Sequence, residues 1–337
     1  MLNSISNMGV RGWVIAMVLA ALALLPAFAA YTDNSFYLDV GTRLVILAMA
    51  AVSLNLILGN GGMISLGHAG FVGIGSYAVG IPAYHGVQDG LIHFPLAIAA
   101  AALFALITGA ICLRTKGVNF IMITMAFSQM AFFGFVSIEE YGGDDGLVIE
   151  MRSQFGDWID LENNVTLFYL SFLSLLAVIY LVHRIVNSRF GMVIAGAKGN
   201  ERRMQSIGFN TYRYQLVGYV IAGTICGYAG ALLGNFTSFI APEMMDWSRS
   251  GEMIFMVVLG GSGTLFGPVL GAAAFLLLEE YLSPLLDFFL YEGAGIYWHF
   301  SFGIILILVV LFAKGGISGL LDRLEEFRLR RKRGSDE

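Results

Sequence analysis

Few side chains in this 337-residue sequence could do chemistry. Gly260-Gly261-Ser262-Gly263 sets a serine among glycines in an apolar stretch, where a hydroxyl could act as nucleophile if a histidine activated it. The histidine that follows is His299, in Trp298-His299-Phe300-Ser301, and it lacks the Ala-His-x-x-Gly surroundings expected of an intramembrane serine protease. No His-Glu-x-x-His motif, no paired carboxylates inside an apolar run and no Cys/His metal spacing occur, so no catalytic, metal or cofactor site is expected. A phosphate-cradling Gly-x-x-x-x-Gly-Lys-Ser/Thr loop is absent too, so any ATP hydrolysis would belong to a partner. What remains are isolated polar side chains in apolar surroundings, chiefly Asn55 and His68. Such a residue either bonds to a neighbouring membrane helix or faces a solute path.

Both lie beside the first of two glycine-rich stretches, 59–76, which contains Ser65, Gly67 and His68; the second, 260–271, contains Ser262 and Thr264. Each carries Gly-Gly-x-x-Ser/Thr-Leu, at 61–66 and 260–265, a hint of the internal repeats found in many transporters. Interrupted helices at membrane depth survive only where protein or a water-filled cavity satisfies their backbone. Asn55, Ser65, Gly67, His68, Ser262 and Thr264 are therefore expected to lie on a translocation path from opposite halves of the chain, unless the glycines serve close helix packing alone.

The elements that position these residues follow from charge and hydropathy. The chain is 57% hydrophobic and 13% charged, with mean hydropathy +0.76, against about 25% charged residues in soluble domains. Windows free of Lys, Arg, Asp and Glu run over 12–32, 44–88, 90–113, 117–138, 163–183, 214–242, 253–278 and 293–313. A membrane helix needs about 20 apolar residues, and continuous runs exclude an outer-membrane barrel, whose strands alternate. The composition also excludes a soluble enzyme, a nucleic-acid binder and a disordered chain.

Windows 44–88 and 253–278 each contain a glycine-rich break, at 59–62 and 260–268. The expected fold is all-α and polytopic, with about ten membrane segments, some of them short broken helices. Around the second break, helices of about 16 residues would span about 24 Å at 1.5 Å per residue. Lys and Arg gather at 114–116, 184–213 and 314–333, which places these regions and both termini in the cytoplasm by the positive-inside rule. Segment 139–162 holds eight carboxylates against Arg152 and is expected outside, with Asp144 and Asp145 in its Gly-rich turn. Arg43, on the outer side, runs against the rule. The expected organisation is one transmembrane domain over 1–315 and a basic cytoplasmic tail over 316–337, in contact with membrane lipid.

Arg11, the apolar run from Trp13 and Ala27-Phe28-Ala29 also have the form of a signal peptide. A multi-span chain needs no cleaved signal, so a retained first helix is expected. Cys112 and Cys226 sit in or at the edge of apolar segments and read as small core residues without a disulfide.

The inner loop 187–213 is the most informative polar segment. Asn200 is a good N-cap, Glu201 suits the positive first turn and Gly208 suits a left-handed residue past the helix end. They delimit two helical turns with Met204 and Ile207 on one face. Such a helix is too short to be stable alone, so it is expected to dock on a partner protein.

With Arg189-Phe190-Gly191, Asn200-Glu201 and Gly208, this loop resembles the EAA-type coupling loop of ABC importer permeases, with Arg203 and Met204 where that pattern has two alanines. Ser53-Leu54-Asn55-Leu56-Ile57-Leu58-Gly59, Ser65-Leu66-Gly67-His68-Ala69-Gly70-Phe71, Gly142-Gly143-Asp144-Asp145-Gly146-Leu147 and Leu259-Gly260-Gly261-Ser262-Gly263-Thr264 follow in order. Over roughly residues 40–315 the chain resembles LivM-type permeases of branched-chain amino acid ABC transporters. The resemblance implies an inner-membrane pore subunit paired with a LivH-like second permease, two cytoplasmic ATPases and a periplasmic binding protein, which is expected to meet the acidic outer loop at Asp144 and Asp145. It implies no cofactor and no nucleic acid. Relatives carrying urea, short amides or aromatic acids keep the substrate open. A secondary transporter is the rival reading, and it would need intramembrane carboxylates; here Asp39, Glu252, Glu279 and Glu280 fall near the window ends.

Overall fold

The computed structural model describes residues 10–156, 160–289, 293–312 and 315–333. Helices take up the apolar windows. They are α1 (Val10–Thr32), α2 (Phe36–Asn55, continuing as a π turn over Leu56–Asn60), α3 (His68–Tyr84), α4 (Gly90–Cys112), α5 (Val118–Val136) and α6 (Asn164–Val186). After the polar α7 (Arg189–Ser206) come α8 (Thr211–Thr237), α9 (Trp247–Gly260), α10 (Gly267–Phe289), α11 (Trp298–Phe312) and α12 (Gly316–Arg333). Among the described residues seven helices are long and apolar enough to cross a membrane, over 12–32, 36–60, 90–112, 118–136, 164–186, 211–237 and 267–289. Helices α3, α9 and α11 are shorter, at 17, 14 and 15 residues.

The centre of the bundle is built from α2, α3 and α8. Of the seven span-length helices α2 is the most enclosed, with Val45, Ala48, Met49, Ala51, Val52 and Leu54 fully or almost fully buried. Helices α3 and α8 cross in close contact because both present glycine: a Cβ on Gly75 would lie 1.9 Å from the carbonyl oxygen of Gly227. Small residues supply this kind of approach in a membrane, where lipid is as apolar as leucine and association rests on packing.

Three boundaries differ from the sequence reading. Helix α2 begins at Phe36, ahead of the charge-free window, and α10 runs on past Glu279 to Phe289. One contact explains both: Arg43 Nη2 lies 2.9 Å from Glu279 Oε1, so each helix carries a charge that the other neutralises. Glu279 thus sits near the middle of α10 rather than at a span end, and α10, at 23 residues, reaches about 34 Å rather than 24 Å. Helix α9 is the short one, about 21 Å long for its 14 residues.

Segment 187–213 is also more than a loop with two helical turns. Helix α7 starts at Arg189, capped by Ser188 Oγ, and bends at Asn200, whose φ/ψ of −158°/97° is extended. Val193, Ile194 and Ala197 bury its first half, so tertiary packing holds a stretch that local propensity does not. The third difference is at the C-terminal boundary. Ser318, at the start of α12, is buried and its Oγ lies 3.2 Å from Thr264 Oγ1, so the basic tail begins inside the packed body.

On the opposite side, the acidic segment is pinned down. A two-residue strand β1 (Leu147–Val148) pairs antiparallel with β2 (Phe239–Ile240), which follows α8. Ser153 N donates to Asn235 Oδ1 at 2.8 Å, and His93 bridges Ser153 Oγ and the carbonyl of Val87.

Candidate functional site

Four separate places hold the residues singled out from the sequence. The first is a seam between the π turn that ends α2 and the 261–266 turn between α9 and α10. Asn55 Nδ2 donates to the carbonyl of Thr264 and its Oδ1 accepts from Gly263 N, both at 2.9 Å. One side chain therefore bonds the two glycine-rich breaks together. The approach is tight: a Cβ on Gly59 would lie 2.4 Å from Gly263 N. Thr264 Oγ1 donates to Gly261 O at 2.8 Å and accepts from Gly267 N at 3.1 Å, which stops α9 and starts α10. Ser262 lies exposed on the rim of this turn. π turns in α-helices mark functional sites more often than chance allows, and this one ends at Asn60 beside the seam.

The second place is the start of α3. Ser65 and His68 are fully buried. A Cβ on Gly67 would come 2.2 Å from the Thr124 carbonyl, so α3 begins pressed on α5. Ser53 Oγ lies 2.7 Å from the Ala50 carbonyl and 2.9 Å from His68 Nε2. A serine has one proton, and the carbonyl can only accept it, so His68 Nε2–H must be the donor to Ser53. His68 Nδ1 is then a bare acceptor, buried and without a partner among the described residues.

The start of α9 meets this point. Ser250 Oγ accepts from Ala69 N at 2.8 Å, joining the first turns of the two short helices. Met245, just before α9, is fully buried, and its carbonyl accepts from Ser128 Oγ at 2.7 Å. Ser128 lies midway along α5, so α9 starts at depth. Residues 238–246 drop from the end of α8 to that depth, and Asp246 caps the helix through Ser248 N. Such backbone at membrane depth is tolerated where protein or a cavity satisfies it.

The third place is the bend of α7. Arg203 N donates to Asn200 Oδ1 at 3.0 Å, and Gly208 has φ +94°. Gly191 lets α7 pack on the end of α6, since a Cβ there would lie 2.2 Å from the Val186 carbonyl. Met204 folds back on Gly196, while Ile207 stays 62% exposed. The two residues expected on one docking face are therefore divided, and Met192 and Phe209 join Ile207 as exposed apolar groups. Glu201 pairs with Lys116 and accepts from Thr211 Oγ1 at 3.0 Å, so the short helix is held by its own chain.

Lys198, which the sequence reading passed over, connects the first and third places. Its Nζ donates to the carbonyl of Gly59 at 2.6 Å. A cavity of about 220 Å³ opens beside it, lined by Gly61, Gly62, Lys116, Lys198 and Glu201 among others. Nothing in local spacing marks Lys198, because its partner is 139 residues away. The fourth place holds Asp144 and Asp145, both exposed, in a short 3-10 turn of the acidic segment. Among the described residues no hydrogen bond or ion pair joins these two carboxylates to the other three places. His299 lies on α11, its side chain outside the described residues.

A family model described as branched-chain amino acid transport system / permease component matches residues 36–310. The chain is 23% identical over 287 residues to the high-affinity branched-chain amino acid transport system permease protein LivM of Escherichia coli K12, covering 78% of this chain and 68% of that one. It is 23% identical over 265 residues to the protein of the same name from Salmonella typhimurium, covering 72% and 62%. Against a probable branched-chain amino acid transport permease protein LivM of Methanocaldococcus jannaschii it is 26% identical over 146 residues, covering 40% and 41%. No solved structure matches the chain.

Proposed function

The chain belongs to the branched-chain amino acid transport permease family, a premise from which we propose how its four places work together. It is a multi-pass inner-membrane permease subunit of an ABC transporter, and it acts as an importer. The solute is a branched-chain amino acid or a related small polar molecule. Hydrolysis of ATP takes place on two partner ATPases, and a LivH-like second permease completes the pore. A periplasmic binding protein delivers the solute to the side that carries Asp144 and Asp145. The termini, the α7 bend and the 261–266 turn face the cytoplasm, in line with the placement of Lys and Arg.

The observation that carries this reading is the line Lys198–Gly59–Gly263, with Asn55 clasping the last two turns. The exposed Ile207 and Met192 offer the ATPase an apolar foothold on α7. A push there reaches the Gly59 carbonyl through Lys198, and Gly59 is packed on the turn that closes the inner side. The Asn55 seam, Ser65, Gly67, His68, Ser262 and Thr264 form the inner gate in its closed arrangement. Asn55 is taken up by Thr264 and Gly263 and His68 Nε2 by Ser53, so few polar groups are left to hold a solute, which suits a passage that must release it. Of the carboxylates a gradient-driven carrier could use, Glu279, well inside α10, is paired with Arg43, and Asp246 is taken by Gln129 and the start of α9; Glu280, placed near a window end by the sequence, also lies inside α10 and is exposed.

The test is reconstitution with the partner ATPases, second permease and binding protein, followed by ATP-dependent uptake of leucine, urea and benzoate. Uptake of leucine that requires both ATP and the binding protein supports the reading. Uptake driven by an ion gradient without ATP would refute it.

A further inference from the structure

Above the buried His68 level, on the side of the acidic segment, a second cavity of about 260 Å³ opens between α2, α8, α9 and the descending 238–246 segment. Its wall carries four charged side chains: Arg43, Glu243, Arg249 and Glu252. Its apolar lining includes Met244, Met253 and Met256, the last fully buried at its floor. The volume is a little below the range of about 300–1,000 Å³ typical of drug-sized ligands, so it suits a smaller solute.

The charges have capacity to spare. Arg43 uses Nη2 on Glu279 and Arg249 uses Nη1 on Glu252, and each guanidinium has five N–H donors. Glu243, exposed at the mouth, makes no hydrogen bond or ion pair through its carboxylate among the described residues. Arg43 is already neutralised by Glu279 and Arg249 by Glu252, so the cavity offers spare guanidinium N–H donors to a carboxylate and the Glu243 carboxylate to an ammonium; a ligand carrying both groups uses both, and one lacking either uses only half of the site. Methionine walls accept varied apolar shapes because the side chain is unbranched and flexible.

We propose that this cavity is the entry station of the subunit, binding an α-amino acid zwitterion with its carboxylate on Arg43 and Arg249, its ammonium on Glu243 and its apolar side chain on the methionines. The proposal rests on the permease reading above and adds the site at which the solute first rests. A zwitterionic lipid headgroup shares this chemistry, and the test separates the two sources.

Thr237 lines the cavity and is exposed, whereas Cys112 and Cys226 are buried and provide a silent background. The Thr237→Cys variant, assembled with its partner subunits in nanodiscs of phosphatidylglycerol, is labelled with a water-soluble thiol reagent. l-Leucine should slow labelling at least about threefold at millimolar concentration, while l-leucinol and 4-methylpentanoate, each lacking one charge, should not. Glu243→Gln in the same background should raise the half-protecting concentration about tenfold, the equivalent of about 1.4 kcal/mol and at the low end for a hydrogen bond to a charged group. Equal protection by all three compounds, or none by leucine, overturns the proposal. So does slow labelling without leucine that appears only when phosphatidylethanolamine is added, since the occupant would then be a lipid headgroup. Leucine uptake by the same complex is measured in parallel: uptake without protection sinks this site and leaves the permease reading standing, and protection without ATP-driven uptake does the reverse.

Discussion

Asn55→Ala tests whether the seam between the two glycine-rich breaks is a gate or only a packed joint. The variant removes a bond to the Thr264 carbonyl and one from Gly263 N, both 2.9 Å long. A typical intramolecular hydrogen bond contributes about 0.5–1.5 kcal/mol net, so the closed arrangement should lose about 2 kcal/mol. If opening breaks this contact, that loss enters the closed–open equilibrium directly, and about 1.4 kcal/mol is a factor of ten. The open fraction should rise about 30-fold. Ser65, fully buried in the closed form, gives the readout. Ser65→Cys in the assembled importer without nucleotide should react with a water-soluble thiol reagent about 30 times faster when Asn55→Ala is added, and ATP hydrolysis should become less dependent on solute. A static joint predicts another pattern: a lower Tm with an unchanged Ser65→Cys rate. That result would refute the gate.

Lys198→Met should uncouple the assembled importer, with ATP hydrolysis retained and leucine uptake reduced at least about tenfold, because the bond to the Gly59 carbonyl is lost while α7 stays folded on α8; equal loss of both activities would point to misfolding instead. Gly208→Val should cost about 1–2 kcal/mol, since a β-branched residue resists the φ of +94°, and should weaken co-purification with the ATPase; normal assembly and coupling would count against α7 as the docking element. Arg43→Met and Glu279→Met should each lower Tm more than the double variant does, because a single change strands a partly buried charge; additive losses would mean that the pair is not coupled. Charge reversal at Asp144 and Asp145 should weaken binding-protein docking at low salt and much less at high salt, and salt-independent transport would assign the acidic turn to solvent.

How much of this was legible in the sequence depended on how local the cause was. Helices α4 and α6 match their charge-free windows closely, Gly90–Cys112 against 90–113 and Asn164–Val186 against 163–183, because hydrocarbon excludes unpaired charge residue by residue. The cap at Asn200 and the left-handed Gly208 were equally readable, each being decided within one turn of chain. The misreadings at Phe36 and Phe289 share the opposite cause: a charge that ends a window in sequence need not end a helix in space once a partner 236 residues away neutralises it. The first half of α7 was missed for a related reason, since its stability comes from α8 and not from its own glycine-containing composition.

The two glycine-rich breaks show where local reading stops being useful. Their shared Gly-Gly-x-x-Ser/Thr-Leu hinted at a repeat, and in the structure each motif lies at the junction of two helices, α2 with α3 and α9 with α10. What the motif could not tell is that the two breaks touch. Gly59 and Gly263 pack against each other because neither has a side chain, and Asn55 can clasp both only because they do. The glycines and the asparagine therefore need not be weighed as packing or function separately. The same close approach that makes them good packing residues places a breakable pair of hydrogen bonds across the joint, which Lys198 ties to α7 through the Gly59 carbonyl.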